Sequence, residues 1–111
     1  MRNYPPTIRR ALLAIGADIN AARRRRRLPV SVVADRAGVT RQTVAKIERG
    51  DGSVAMGTWA TVLLALNLHE RLRSIADPAH DVVGTDLELE RLPKRVRLSR
   101  RERSAPQDGA N

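Results

Sequence analysis

The chain has 111 residues, 41% of them apolar and 2% aromatic, with no Phe, so there is room for one modest aliphatic core and a tail. It has no Cys, which rules out disulfides and thiolate metal sites and is compatible with a reducing compartment. Twenty-one basic residues against 12 acidic ones give a net charge of +9, which favours a polyanionic partner, either nucleic acid or an anionic membrane.

No apolar run approaches the ~20 residues of a membrane span. Ala11–Ala17 after Arg9-Arg10 superficially resembles a signal peptide, but Asp18 follows at once, and the stretch reads as helix. The charge is segmented along the chain. Residues 1–27 carry eight Arg against one Asp, residues 77–90 five acids and no Lys or Arg, and residues 91–103 seven bases against one acid.

In chain order, Pro5-Pro6-Thr7 predicts a stop and a helix cap at Thr7. Ile8, Leu12, Ile15, Ile19 and Ala22 then recur at helical steps, as one apolar stripe. Gly16 within it costs ~1 kcal/mol relative to Ala, which leaves a break there open. The helix ends in Arg23–Arg27. Cations suit the negative end of a helix dipole, but five in succession exceed that need. They read as a patch for phosphate, the alternative being a solvated helix end. Leu28-Pro29 breaks the helix, with Pro expected in the first turn of the next.

Val30–Ala37 predicts a short helix with Val33 and Ala34 inward, ended by Gly38 as a left-handed cap. Thr40 caps a third helix. Its inner side is Val44 and Ile47, joined by Val39, and Arg41, Gln42, Ala45, Lys46 and Arg49 are left outside. Gly50-Asp51-Gly52-Ser53 is a turn. A fourth helix over about residues 57–66 points Met56, Trp59, Val62, Leu63 and Leu66 inward. A short fifth covers about residues 69–76, before Asp77-Pro78. Beyond it, either Asp86–Leu92 is one more helix or Val82-Val83 and Val96–Leu98 are strands. Ser104–Asn111 is small and polar, and predicts disorder.

The informative unit is Val30–Gly50. Small residues at Ala34 and Gly38 are expected to let two helices cross closely in a helix-turn-helix. The second helix then stands clear of the body and presents its outer face to a major groove. Arg41, Gln42 and Lys46 supply what that groove requires: Arg pairs bidentately with guanine, Gln with adenine, and Lys with guanine acceptors.

Gly38-Val39-Thr40-Arg41-Gln42-Thr43-Val44-Ala45-Lys46-Ile47-Glu48-Arg49-Gly50 resembles the XRE family, the Cro and phage-repressor type of helix-turn-helix. The resemblance covers about residues 13–68. It implies an all-α, five-helix lambda-repressor-like domain, taken as residues 13–76. Residues 1–12 extend its first helix, residues 77–103 form a dimerisation or docking extension with a basic C-terminal end, and residues 104–111 form the tail.

The resemblance also implies base-reading at Arg41, Gln42 and Lys46, with Thr40 and Thr43 near phosphate. Arg49, Arg24, Arg25 and Arg27 are further expected phosphate contacts. Family members pair an Arg of the first helix with the Glu before the final Arg-Gly, which falls here on Arg23 and Glu48. An acid on a DNA-facing helix repels phosphate, so a structural partner accounts for Glu48. One departure stands out. The family commonly has Ser/Thr-Gln at the start of the second helix, where the Gln grips the backbone. This chain has Pro29-Val30, and the neighbouring Arg cluster is expected to take over.

Gly50–Trp59, together with Leu92-Pro93-Lys94-Arg95-Val96-Arg97, is similar to HipB-type antitoxins. These pair with a HipA-type kinase toxin and repress their own operon. That resemblance implies dimer or toxin contacts in residues 77–103, and the alternative is a stand-alone regulator. Either way the expected partners are a palindromic duplex and a second copy of the chain, in a cytoplasmic, nucleoid-associated protein. RNA binding lacks the aromatic residues that single-strand recognition uses. No catalytic constellation, cofactor loop or metal set is expected, and His69 and His80 fall in different elements.

Overall fold

The structure, a computed structural model, describes residues 3–92. The strand option at Val96–Leu98, the basic segment after Arg91 and the tail at 104–111 lie outside the described residues. The chain divides into two units after Ser74, and all its described regular elements are helical.

The first unit holds α1 (Pro6–Arg25), α2 (Val30–Ala37), α3 (Arg41–Glu48), α4 (Met56–Ala65) and α5 (Glu70–Arg73). Four of these close around one aliphatic centre. Ile19 and Ala22 come from α1, Val33, Ala34 and Ala37 from α2, and Val44 and Ile47 from α3. Trp59, Val62 and Leu63 of α4 complete it, with Leu66 just beyond. α3 packs on α1 and α2, and α2 also packs on α4. Leu28, Val30, Val39, Val54 and Leu68 seal the edges.

The same device ends each of these four helices. The chain turns through a left-handed residue, at Arg27 (φ 55°), Gly38 (φ 69°), Gly50 (φ 79°) and Asn67 (φ 61°). The amide after it reaches back five residues: Leu28 to Arg23 at 3.2 Å, Val39 to Ala34 at 3.0 Å, Asp51 to Lys46 at 3.0 Å and Leu68 to Leu63 at 2.8 Å. This Schellman geometry satisfies carbonyls a helix end would otherwise leave open. At Leu28, Val39 and Leu68 the returning chain also delivers an apolar residue to the edge of the core.

Several expectations need correction. α1 starts at Pro6 with Pro5 as its cap, so Thr7 lies inside the helix and caps nothing. Proline's fixed φ suits a first helical position, where no amide is needed. Pro29 is likewise the residue that caps α2 rather than a member of its first turn. α1 runs through Gly16 without a break. A Cβ there would lie 2.6 Å from the Ile47 carbonyl, 2.8 Å from the Gly50 amide and 2.9 Å from the Glu48 carbonyl. Gly16 is thus where α1 and the end of α3 touch backbone to backbone.

Gly38 was expected to serve helix crossing, but a Cβ there would meet open space. Its role is the left-handed turn alone, and Ala34, 3% exposed, is the small residue at the contact. Ile8 and Ile15 remain largely exposed, because the N-terminal half of α1 rests on the turn after α3 rather than on the core. Met56 is 68% exposed. It sits in the first turn of α4, and Val54 from the preceding loop fills the core edge instead. α5 stops at Arg73, where the Ser74 hydroxyl donates to the Arg71 carbonyl at 3.0 Å.

The second unit has a 3-10 turn at Pro78–His80 and a helix, α6, at Val82–Arg91. The helical alternative therefore holds, starting earlier than Asp86, and Val82-Val83 is not a strand. Asp81 explains the shift. Its carboxylate accepts from the Gly84 amide at 3.1 Å, an N-cap that converts the following valines to helix.

Gly16→Ala tests the α1–α3 contact. Alanine is the better helix former by ~1 kcal/mol, but the atoms it meets are backbone and cannot rotate away. Urea unfolding should show a net loss of about 1–3 kcal/mol, and an unchanged or raised midpoint would contradict the backbone contact.

Candidate nucleic-acid interface

α3 is eight residues long and divides cleanly by burial. Val44 and Ile47 are fully buried, while Arg41, Gln42, Lys46 and the following Arg49 are exposed. At 100° per residue, Arg41, Ala45, Arg49, Gln42 and Lys46 span an arc of roughly 140°. Gln42 and Lys46 lie one turn apart, as do Arg41, Ala45 and Arg49. The short Ala45 side chain leaves the middle of the ridge low, with long polar side chains on either side.

Both ends of this helix are fixed. The Thr40 hydroxyl accepts from the Thr43 amide at 3.1 Å and lies 3.0 Å from the Thr43 hydroxyl. Thr40 therefore spends its acceptor on capping, and its exposed hydroxyl stands beside that of Thr43 at the start of the ridge. At the other end, Gly50 turns the chain and Asp51 makes a small loop. The Asp51 carboxylate accepts from the Ser53 hydroxyl at 2.7 Å and the Ser53 amide at 2.9 Å. These bonds from Ser53, with Lys46 and Arg49 nearby, hold its pKa below the usual carboxylate range.

Glu48 is the acid on this cationic helix, and it faces α1. Arg23 donates to it through Nε at 2.7 Å and Nη2 at 3.2 Å, and Asn20 donates through Nδ2 at 2.7 Å. The remaining Arg23 nitrogen, Nη1, donates to the Leu28 carbonyl at 2.9 Å. One guanidinium thus ties the end of α1, the end of α3 and the α1–α2 corner together. The pair is largely shielded, with side chains 15% and 10% exposed. Hydrogen bonding to Glu48 raises the Arg23 pKa, so the guanidinium stays cationic at any working pH. Asn20 was not expected in this set. Its signal was available as a short amide donor three residues, nearly one turn, before Arg23.

Beyond Arg23 the Arg cluster, Arg24–Arg27, is exposed, but its members differ. Arg26 turns back on its own helix and donates to the Ala22 carbonyl at 2.9 Å. Arg27 is the left-handed residue of the corner, a conformation that costs a non-glycine residue roughly 1–2 kcal/mol. Arg24 and Arg25 lie in the last turn of α1. α2 then begins at Pro29 without a side-chain cap. The cluster is continuous with that open helix start through Leu28, whereas the α3 ridge is a separate set of cations.

A short helix, a left-handed glycine turn and a second, capped helix with a buried and a polar side define a helix-turn-helix DNA-binding domain. Residues 14–77 match the family model described as a helix-turn-helix domain, and the chain belongs to that family. The match is consistent with an XRE-like member. Comparison with curated proteins and with solved structures found no match. Among the described residues no helix is long and apolar enough to cross a membrane, and no three His, Asp or Glu side chains gather as a metal site.

Removing the Glu48 carboxylate leaves Arg23 and Asn20 without their shared acceptor. Glu48→Ala should destabilise the domain by ~2–3 kcal/mol in chemical unfolding. Arg23→Lys should also destabilise it, because an ammonium cannot reproduce the fork that reaches both Glu48 and Leu28. Equal stability of parent and Glu48→Ala would remove the pair from any structural role.

Proposed function

We propose that the protein is a sequence-specific transcriptional repressor that binds a palindromic duplex as a homodimer. The observation that carries this reading is the α3 ridge: exposed donors on one arc, aliphatic residues fully buried on the other, and both helix ends fixed. A helix held at both ends suits major-groove docking, because its backbone need not be ordered on binding. In this reading Arg41, Gln42 and Lys46 read base edges. Thr40, Thr43 and Arg49 flank them on phosphates.

Arg24, Arg25 and Arg27 then supply a second phosphate site beside the first amides of α2. Two observations support it. α2 lacks a side-chain cap, so its N-terminal amides are open to an anion. Arg27 also occupies a backbone position where glycine costs less, and strain kept at an exposed cation points to use of the side chain. One helix reads only a few base pairs, so two copies on half-sites about 34 Å apart, or a multiple of that, complete the recognition. The extension after Ser74 suits the contacts between copies or with a partner, since Val82, Val83, Leu87, Leu89 and Leu92 are exposed there beside a run of acids.

The more specific form of the proposal is an antitoxin that represses its own operon and holds a HipA-like kinase, in the cytoplasm. It rests on the Gly50–Trp59 similarity together with that exposed apolar set. Co-purification of this chain with a kinase encoded by an adjacent reading frame tests it. Absence of such a partner leaves the stand-alone repressor.

Two measurements address the DNA contacts. Arg41→Ala should relax base choice at one position by about 1–3 kcal/mol in a binding-site selection, and uniform weakening across all sequences would make Arg41 a phosphate contact instead. With six or more phosphates neutralised, affinity should fall by ~10³-fold between ~50 and ~200 mM salt. Arg27→Gly should raise stability by ~1 kcal/mol while lowering duplex affinity and flattening that salt response. A gain in stability at unchanged affinity would exclude Arg27 from the contact set.

A further inference from the structure

The N-terminal half of α1 builds a feature that the helix-turn-helix does not need. An open cleft of about 650 Å³ lies between it and the turn after α3, lined chiefly by Tyr4, Arg9, Leu12, Leu13, Arg49 and Gly52. That volume is within the ~300–1,000 Å³ usual for small-molecule sites. Four of the nine lining residues precede residue 14, where the helix-turn-helix match begins. The extension therefore adds this wall to the domain.

The cleft is constructed rather than incidental. The Tyr4 hydroxyl donates to the Gly52 carbonyl at 3.0 Å, pinning the ring over the turn. A Cβ on Gly52 would lie 2.7 Å from that ring and 2.9 Å from Leu12, and a Cβ on Gly50 would lie 2.8 Å from the α1 backbone at Leu12 and Leu13. Glycine at both positions lets the Tyr4 ring and α1 settle directly on the turn. Leucines and the tyrosine ring make the lining mostly apolar. Its charged groups are Arg9, Arg49 and Asp51, which leave one net positive charge, and the Asp51 carboxylate is already engaged by Ser53.

We propose that this cleft binds a small amphipathic monoanion, a carboxylate on an apolar body, and that its occupancy weakens DNA binding. Two guanidiniums offer planar forks matched to a carboxylate. A single net positive charge suits a monoanion better than a dianionic phosphate ester, and the leucine wall takes the apolar body. The regulatory half rests on the DNA reading above. Arg49 follows α3 directly and faces both the cleft and the proposed phosphate contact, so a carboxylate that engages it removes one cation from the DNA surface. Linkage requires that DNA weaken the ligand by the same factor.

Octanoate is the probe, titrated into the full-length protein in the absence of DNA and followed by amide NMR. Saturable shifts at Gly50, Gly52 and Ser53 are expected, with much weaker responses to acetate, which lacks the apolar body, and to octanol, which lacks the charge. Leu13→Ser and Arg9→Gln, both at exposed positions, should each abolish the response without unfolding the domain. With duplex present, octanoate should raise the DNA dissociation constant several-fold in the parent and leave it unchanged in Leu13→Ser. No saturable shift, equal binding of octanol, or an undiminished response in both variants would overturn the site. Site binding without any effect on duplex affinity would overturn the regulatory half. Because the NMR titration contains no DNA, failure of the DNA reading itself would show separately, as loss of duplex binding by the ligand-free protein.

Discussion

The shared grip of Arg23 and Asn20 on Glu48 holds the working end of the molecule in place. α3 is too short to persist alone, since isolated helices under ~12–15 residues are marginal in water. It exists because Val44 and Ile47 are buried and because its last turn is bound to α1. That binding has two parts acting at one place. Gly16 lets the backbones meet, and the Arg23 guanidinium closes the contact above it. A carboxylate with this little exposure is tolerated only where its hydrogen bonds are met, and here two side chains meet them.

From that contact follows the division of α3 into two sides. Once the helix is pinned at Glu48 and capped at Thr40, its rotation about its own axis is set. Arg41, Gln42 and Lys46 then point away from the core because Val44 and Ile47 cannot. The cations avoid a desolvation cost by staying in water, and they remain free to meet another polyanion. The strongly positive balance of the chain adds long-range attraction to such a partner, without sequence preference. In the function proposed above, specificity is left to the few side chains on the ridge, which is why the fixed axis and rotation of α3 matter more than their number.

Much of this was legible in the sequence, because it is local. The alternation of Val44 and Ile47 with polar residues gave the orientation of α3, and Thr40 and Gly38 marked its cap and the turn before it. The ion-pair expectation came from family resemblance, and the structure brings Arg23 and Glu48 together. What escaped was tertiary. Gly16 read as a weak point because a sequence shows helix propensity but not the strand of backbone lying against it. Gly38 was credited with close packing that belongs to Ala34. Met56 fitted the helical period, yet helix α4 begins at the edge of the core, where Val54 arrives first. Asp81 was a cap signal in plain view, masked by two β-branched valines after it. The left-handed Arg27 could not be foreseen, since nothing in a run of five arginines marks the one that turns the corner.

In the proposed function the exposed arc of α3 is the surface that enters a duplex. The most direct measurement is an amide and side-chain NMR titration of the full-length protein with double-stranded DNA at low ionic strength. The largest perturbations should fall at Arg41, Gln42, Lys46 and their neighbours on α3, with a second set at the start of α2 and the Arg24–Arg27 corner. An absence of duplex binding under those conditions, or perturbations centred on the opposite side of the domain, would contradict this reading.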